Sequence, residues 1–299
     1  MRYALYSDRG KGMIKDRSGN ILAKDSASGG TLDFLYQTAF GRVILKLLTR
    51  KFISELGRLY MNSPLSKRRI KRLISENGIN MKDYEQREFC SFNDFFTRKL
   101  ADGAREVCMD ADALIAPADS KLTVYDISED SVYRIKGCDY SIKTLLGGDG
   151  ELAREFYGGK CFVYRLTVDN YHRYCYTENG RELSHRFIKG VYHTVNPIAL
   201  ARYDVYGKNC RELTLLETEK SGRVAYIEVG AMMVGKINNT HREEFARGEE
   251  KGYFSFGGST IVLLYKKDTV ALDGDIEENS REETETAVLY GERVGSINV

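Results

Sequence analysis

The sequence predicts an α+β protein in which a basic, amphipathic helical N-terminal region is carried on a β-rich, mainly antiparallel body. Three observations lead there. Apolar residues recur at three- and four-residue steps from residue 32 to 61, and a second helical stretch follows. From about residue 105 short β-rich runs separated by Gly, Asp and Asn take over. No repeated strand–helix alternation appears, which argues against a doubly wound sheet.

Residues 1 to about 31 are polar and glycine-containing and read as irregular. Tyr36, Phe40, Val43, Leu47, Leu56 and Leu59 then mark one side of a helix spanning Leu32 to Met61. In SPLSKRRIKRLISENG, Ser63 is a candidate cap, Pro64 suits the first turn and Gly78 the stop. Ser91 and Asp94 in SFNDFF make a capping-box-like start for a third helix. Lys67, Arg68, Arg69, Lys71 and Arg72 lie on this N-terminal region. They suit either a solvated face over a helical core or an interfacial arm drawn to anionic lipid. The strand candidates are 160–168, 212–219, 223–237 and 259–265, and the boundary between the two regions falls at 104/105. GGDG (147–150) and YGGK (157–160) are loops without phosphate-binding spacing. In FSFGGSTIVLLY (254–265) the pattern is strand, tight turn, strand, a hairpin by ordinary turn rules.

Composition narrows the function. The chain has 299 residues, a net charge of +2 and 29% charged residues, ordinary for a globular protein and no sign of a nucleic-acid partner. Its 6 cysteines are scattered without a CxxC pair, so neither a disulfide framework nor a structural metal is expected. The N-terminus lacks the apolar core of a signal peptide, and no apolar run is long enough to span a bilayer. Any membrane contact is expected to be peripheral.

Few residues carry obvious chemistry. His172 follows a strand and an Asp-Asn turn, a place where rigid scaffold often holds functional groups. Asp119, after IAPA, is either a turn aspartate or a carboxylate that orients a histidine. Ser259 would complete such a triad as nucleophile, yet GGSTI is not a G-x-S-x-G elbow.

Taken in order, several blocks resemble one family. They are FNDFFTRKLADGARE (92–106), IAPADS (115–120), IKGCDYSIKTLLG (135–147), LTVDNYHRY (166–174) and HTVNPIAL (193–200). NCREL (209–213), VGAMMVGKI (229–237), KGYFSFGGSTIVLL (251–264) and ETAVLYGERVG (285–295) continue the set. Together they resemble the phosphatidylserine decarboxylases.

The resemblance implies a self-cleavage sequence of the form x-G-S-T, here Gly257-Gly258-Ser259-Thr260. In that family the serine hydroxyl attacks the preceding glycine carbonyl, here Gly258, and converts amide to ester. Loss of the serine α-proton then expels the glycine carboxylate and leaves dehydroalanine, which hydrolyses to a pyruvoyl group. That covalent group forms a Schiff base with the substrate amine and draws in electron density as carbon dioxide leaves, without metal or pyridoxal phosphate. The implied reaction converts phosphatidylserine to phosphatidylethanolamine at the cytoplasmic membrane surface, in a homodimer of cleaved two-chain units. Asp119 matches the acidic member of the self-processing triad, and His172 the first histidine of a Y-H-R-x-H block. Cys175 stands where many relatives carry a second histidine, so Cys175 and His193 are candidates to replace it. Three rivals remain open at this level. They are a pyruvoyl decarboxylase of a soluble amino acid, a non-catalytic lipid-binding relative, and a serine hydrolase.

Overall fold

The apolar periodicity of residues 32–61 folds as three helices, α1 (Gly30–Gln37), α2 (Ala39–Leu48) and α3 (Lys51–Met61), where one was expected. The first break is at Thr38, whose hydroxyl accepts the Gly41 amide at 2.9 Å. A Cβ on Gly41 would stand 2.0 Å from the Phe34 carbonyl oxygen, so only glycine lets α2 turn back this closely on α1. The apolar spacing stays helical on both sides of the break, which is why periodicity does not reveal it. The computed structural model describes residues 13–24, 30–49, 51–128, 132–135, 138–200, 203–231, 236–257 and 259–298.

The basic stretch follows as a 3-10 turn (Pro64–Lys67) and α4 (Arg68–Asn77). Gly78 ends it at φ 62° with its amide on the Ile74 carbonyl, as a left-handed stop should. Ser63 does not cap it by its side chain, because its hydroxyl donates back to the Tyr60 carbonyl at 2.7 Å. At α5 (Phe92–Phe96) the expected start holds, since Ser91 Oγ accepts the Asp94 amide at 3.1 Å. The Asp94 carboxylate reaches back to the Cys90 amide at 2.7 Å.

Two strands precede these helices, β1 (Met13–Lys15) and β2 (Ile21–Lys24). Beyond them come β3 (Ala113–Ile115), β4 (Ser120–Asp126), β5 (Val132–Ile135), β6 (Cys138–Ser141), α6 (Ile142–Leu145), α7 (Gly150–Arg154), β7 (Lys160–Leu166), β8 (Arg173–Cys175) and β9 (Gly180–Ile188). Next are α8 (Pro197–Leu200), α9 (Val205–Lys208), β10 (Arg211–Thr218), β11 (Gly222–Gly230), β12 (Ile237–Asn239), β13 (Glu244–Phe245), β14 (Glu250–Phe254) and β15 (Ser259–Tyr265). The chain closes with β16 (Val270–Leu272), α10 (Gly274–Arg281), β17 (Glu285–Val288) and β18 (Arg293–Ile297).

Ten strands form one sheet in the order β13-β9-β10-β11-β15-β7-β4-β17-β1-β2. It is antiparallel except where β1 runs parallel to β17, so the α+β expectation is met. Residues 13–24 are therefore not irregular. Ile14 is buried, and Arg17 beside it bonds Asp273 at 2.9 Å. Strands of three and four residues are too short for a legible alternation, and long-range pairing holds them. Every residue of β15 is buried between β11 and β7, which explains its unbroken apolar run.

The expected hairpin at 254–265 does not form. β14 pairs with β12 and β8 in a separate three-stranded sheet, whereas β15 pairs with β11 and β7. The Gly-Gly-Ser segment thus bridges two sheets. Gly257 has φ 139°, a conformation that favours glycine. Among the described residues no helix is long and apolar enough to cross a membrane.

Candidate active site

Ser259 opens β15 and pairs with Gly230 on one side and with Leu166, the last residue of β7, on the other. Extending the β4–β7 register by one residue puts Ser120, the first of β4, beside Leu166 as well. Asp119 immediately precedes that strand, and His172 ends the turn that leaves β7. One end of the adjacent strands β11, β15, β7 and β4 therefore gathers the three candidates Asp119, His172 and Ser259. Gly258 lies outside the described residues.

The turn that carries His172 is organised by Asn170. Its Oδ1 accepts the Thr167 amide at 2.9 Å and the Lys121 ammonium at 2.8 Å. His172 Nδ1 is 2.9 Å from the Asn170 carbonyl oxygen, which can only accept, so Nδ1 holds the proton and Nε2 carries the lone pair. The ring is fully buried, and Nε2 has no hydrogen-bond partner among the described residues. Burial, assisted by the nearby Arg98 charge, pulls its pKa down from 6.5 to about 3, so the imidazole is neutral. Ser259 Oγ is likewise fully buried and has no hydrogen-bond partner among the described residues. Buried polar atoms are rarely left this way, and a cluster of them points to chemistry.

Aromatic packing keeps this corner dry. Phe96 of α5 packs on His172 with ring centroids 3.9 Å apart and the planes tilted by 37°. Phe256, in the bridge before Ser259, meets Phe92 edge-on at 4.9 Å and Phe96 at 5.3 Å. Asn93 Oδ1 accepts the Phe256 amide at 2.8 Å, so α5 grips the bridging segment by both side chain and backbone. Met61 of α3 and Ile70 and Leu73 of α4 pack on the same cluster. Lys67, Arg68, Arg69, Lys71 and Arg72 are all exposed. The basic helix is therefore mounted next to the site, a proximity no spacing rule announces.

Asp119 is buried, and its partners are not the expected ones. Arg105 grips both oxygens, Nε to Oδ1 at 3.1 Å and Nη2 to Oδ2 at 2.7 Å, and the Tyr290 amide donates to Oδ1 at 2.8 Å. Burial disfavours the Arg105 charge, but its bonds to Asp119 and Asp83 outweigh that and raise its pKa above the usual arginine value. No hydrogen bond joins Asp119 to His172 among the described residues. Position 175 is tied to the segment that carries the aspartate, since the Cys175 amide donates to the Pro117 carbonyl at 3.0 Å. The Cys175 thiol shares a hydrogen bond with Tyr290, and burial pushes its pKa up to about 12, which keeps it protonated at neutral pH.

His193 reaches the site only through its backbone. Asn209 Nδ2 donates to the His193 and Gly230 carbonyls, both at 2.8 Å, and Gly230 pairs with Ser259. Its ring stacks on Tyr203 at 4.7 Å, and burial together with the Lys208 charge lowers its pKa to about 4. Arg98, Arg105, Lys121 and Tyr290 were missed by the sequence reading. Arg98 is buried, donates to the Tyr84 hydroxyl at 3.2 Å and lies over the Tyr84 ring at 4.1 Å. All four lie in or beside the quoted motif blocks, but only their contacts single them out.

These features define an α+β protein that buries a serine hydroxyl and a neutral imidazole, without partners among the described residues, at the end of its central strands. A family model described as phosphatidylserine decarboxylase matches residues 92–296. The chain is 45% identical over 270 residues to phosphatidylserine decarboxylase proenzyme 2 of Clostridium acetobutylicum, covering 90% of this chain and 92% of that protein. Identity to the phosphatidylserine decarboxylase proenzyme of Ruminiclostridium cellulolyticum is 40% over 277 residues, 90% of this chain and 92% of the relative. To that of Fusobacterium nucleatum it is 36% over 290 residues, 95% and 96% of the two chains. The chain belongs to the phosphatidylserine decarboxylase family, a family of decarboxylases whose relatives are named as proenzymes.

Proposed function

We propose that the protein cleaves itself between Gly258 and Ser259, converts Ser259 to a pyruvoyl group and decarboxylates phosphatidylserine to phosphatidylethanolamine. The observation that carries this reading is that two buried atoms, Ser259 Oγ and His172 Nε2, both lie on segments at one end of the central sheet and have no hydrogen-bond partner among the described residues. The lone pair on His172 Nε2 takes the proton as Ser259 Oγ attacks the Gly258 carbonyl. Burial drives the imidazolium so formed to give the proton back, here to the departing amine. Asp119, clamped by Arg105, holds the start of β4 and the Tyr290 backbone in place around the reacting segment.

The residues present fit a pyruvoyl group. It arises from Ser259 in place, where the hydroxyl spends no hydrogen bond and the Phe92, Phe96 and Phe256 rings exclude water. Once formed, the group supplies a carbonyl that binds the substrate amine and acts as an electron sink during loss of carbon dioxide.

Residues 1–104 serve in this reading as the membrane-associating region and residues 105–299 as the catalytic domain. Phe40, Val43, Leu59 and Leu65 are exposed on the same region as the α4 cations, which favours a lipid over a soluble amino acid as substrate. The enzyme works peripherally on the cytoplasmic face of an anionic membrane, as a homodimer of cleaved units.

Intact mass under denaturing conditions tests the first step. Two species are expected, residues 1–258 and a pyruvoyl-blocked 259–299. A single full-length chain from folded protein would overturn the proposal. Carbon dioxide release from phosphatidylserine vesicles, compared with free serine, then tests the substrate.

A further inference from the structure

The absence of zinc spacing in the sequence does not preclude donors brought together by folding. Glu182 and His185 lie on β9, and His241 follows β12. Residues three apart on a regular strand face opposite sides of a sheet. Here the β9–β10 register moves from Leu216↔Glu182 to Leu215↔Ser184, a bulge at Leu183 that lets Glu182 and His185 share a face. Glu182 Oε2 is 3.2 Å from His241 Nδ1 and 3.8 Å from His185 Nδ1, and the two imidazoles stack at 3.6 Å. One donor atom from each residue lies within 4.8 Å of the others.

We propose that Glu182, His185 and His241 hold a divalent transition-metal ion of the zinc class, with water in the fourth position. The surroundings are those of a metal site one layer out. His241 Nε2 is 3.0 Å from Glu212 Oε1, and Nδ1 shares a hydrogen bond with Glu182 Oε2 at 3.2 Å; with the proton on Nε2, facing Glu212, the Nδ1 lone pair is available to an ion. A cation that takes the place of the shared proton makes His241 Nδ1 and Glu182 Oε2 both into ligands. The Tyr176 hydroxyl occupies the other oxygen, Oε1, at 2.6 Å. Tetrahedral coordination at ordinary zinc bond lengths separates donors by roughly 3.3 Å, against 3.2 and 3.8 Å from Glu182 Oε2 to the two imidazole nitrogens. Two imidazoles and one carboxylate select zinc, cobalt, nickel or copper over magnesium or calcium. His185 and His241 have side chains 50% and 35% exposed, so an ion can enter from solvent. Bound there, it ties the large sheet to the segment after β12, the strand that pairs with β14 and so leads to the Ser259 bridge.

The test uses the full, untagged chain, stripped with chelator and titrated with Zn²⁺ by calorimetry and with Co²⁺ by visible absorption. One equivalent of each metal, a tetrahedral cobalt spectrum and a Tm raised by Zn²⁺ are expected. His185→Ala and His241→Ala should each abolish these signals while matching the stripped wild type in circular dichroism and Tm. Glu212→Gln, which only orients His241, should weaken binding by about 10–100-fold. Wild-type binding no tighter than that of the His185→Ala/His241→Ala double variant would overturn the proposal. So would a His241→Ala chain destabilised in chelator when Zn²⁺ leaves the wild type unmoved, because the cluster would then be a protonated bridge between two carboxylates.

Discussion

Adjacent rows of one sheet treat buried polar groups in opposite ways. Arg165 of β7 and Glu285 of β17, each with a side chain 6% exposed, are joined by two hydrogen bonds, one of them 2.7 Å. One residue further along β7, Leu166 pairs with Ser259, whose hydroxyl is as deeply buried and bonds to nothing among the described residues. Leaving such a group unsatisfied costs about 1–3 kcal/mol. The fold can plainly match a buried guanidinium to a carboxylate one step away, so poor packing does not account for the free hydroxyl. A hydroxyl committed to no structural partner stays available to a base, and in the proposed self-cleavage that availability accounts for the contrast.

Ser259→Ala separates the two rows most sharply. Cleavage and decarboxylation should fall to background while Tm holds or rises, since the substitution removes an unsatisfied hydroxyl; a clear loss of Tm would show the hydroxyl was bonded after all. Next, His172→Gln keeps a neutral side chain of similar size and should slow cutting by about 10²–10⁴-fold, followed by gel after refolding. Normal cutting would remove His172 from the reaction.

Glu285→Ala should do the reverse of the serine change. It removes the carboxylate that Arg165 bonds and should cost about 3–5 kcal/mol in urea unfolding, yet leave the folded fraction able to cut itself.

A smaller effect follows from pH. His172 has a folded pKa near 3 against 6.5 for the free group. Above pH 6.5 neither state binds that proton, and its contribution is constant. As pH falls from 6.5 toward 3 the unfolded chain takes up a proton the folded chain refuses, so stability drops by up to about 1.4 kcal/mol per pH unit. His172→Gln should lack that part of the slope, and superimposable stability curves for the two proteins would refute the buried neutral ring. Smallest of all, Lys71→Gln and Arg72→Gln should each weaken binding to anionic vesicles roughly fivefold without touching cleavage.

Much of this molecule was legible along the chain. β15 runs over the same residues, 259–265, that its apolar pattern predicts, and Gly78 stops α4 as its position suggests. Other features were illegible for physical reasons. The turn at Gly257 has ordinary hairpin chemistry, and only the pairing of its flanking strands reveals that it bridges two sheets. The α1–α2 fold-back keeps its helical spacing and depends on a single missing Cβ at Gly41. Asp119 has the composition of a triad carboxylate, but Arg105 reaches it first. The Glu182, His185 and His241 cluster needs a bulge and a neighbouring segment, neither of which leaves a spacing signature.

By itself the sequence determined the family, the Gly257-Gly258-Ser259-Thr260 segment and the identity of the candidate serine and histidine. These depend on which residues stand in which order. Tertiary structure alone decided which polar atoms are bonded and which are left free, that His172 is neutral with its lone pair on Nε2, and that a basic helix is mounted beside the site. Desolvation and hydrogen-bond partners come from residues far apart along the chain, so no local pattern encodes them.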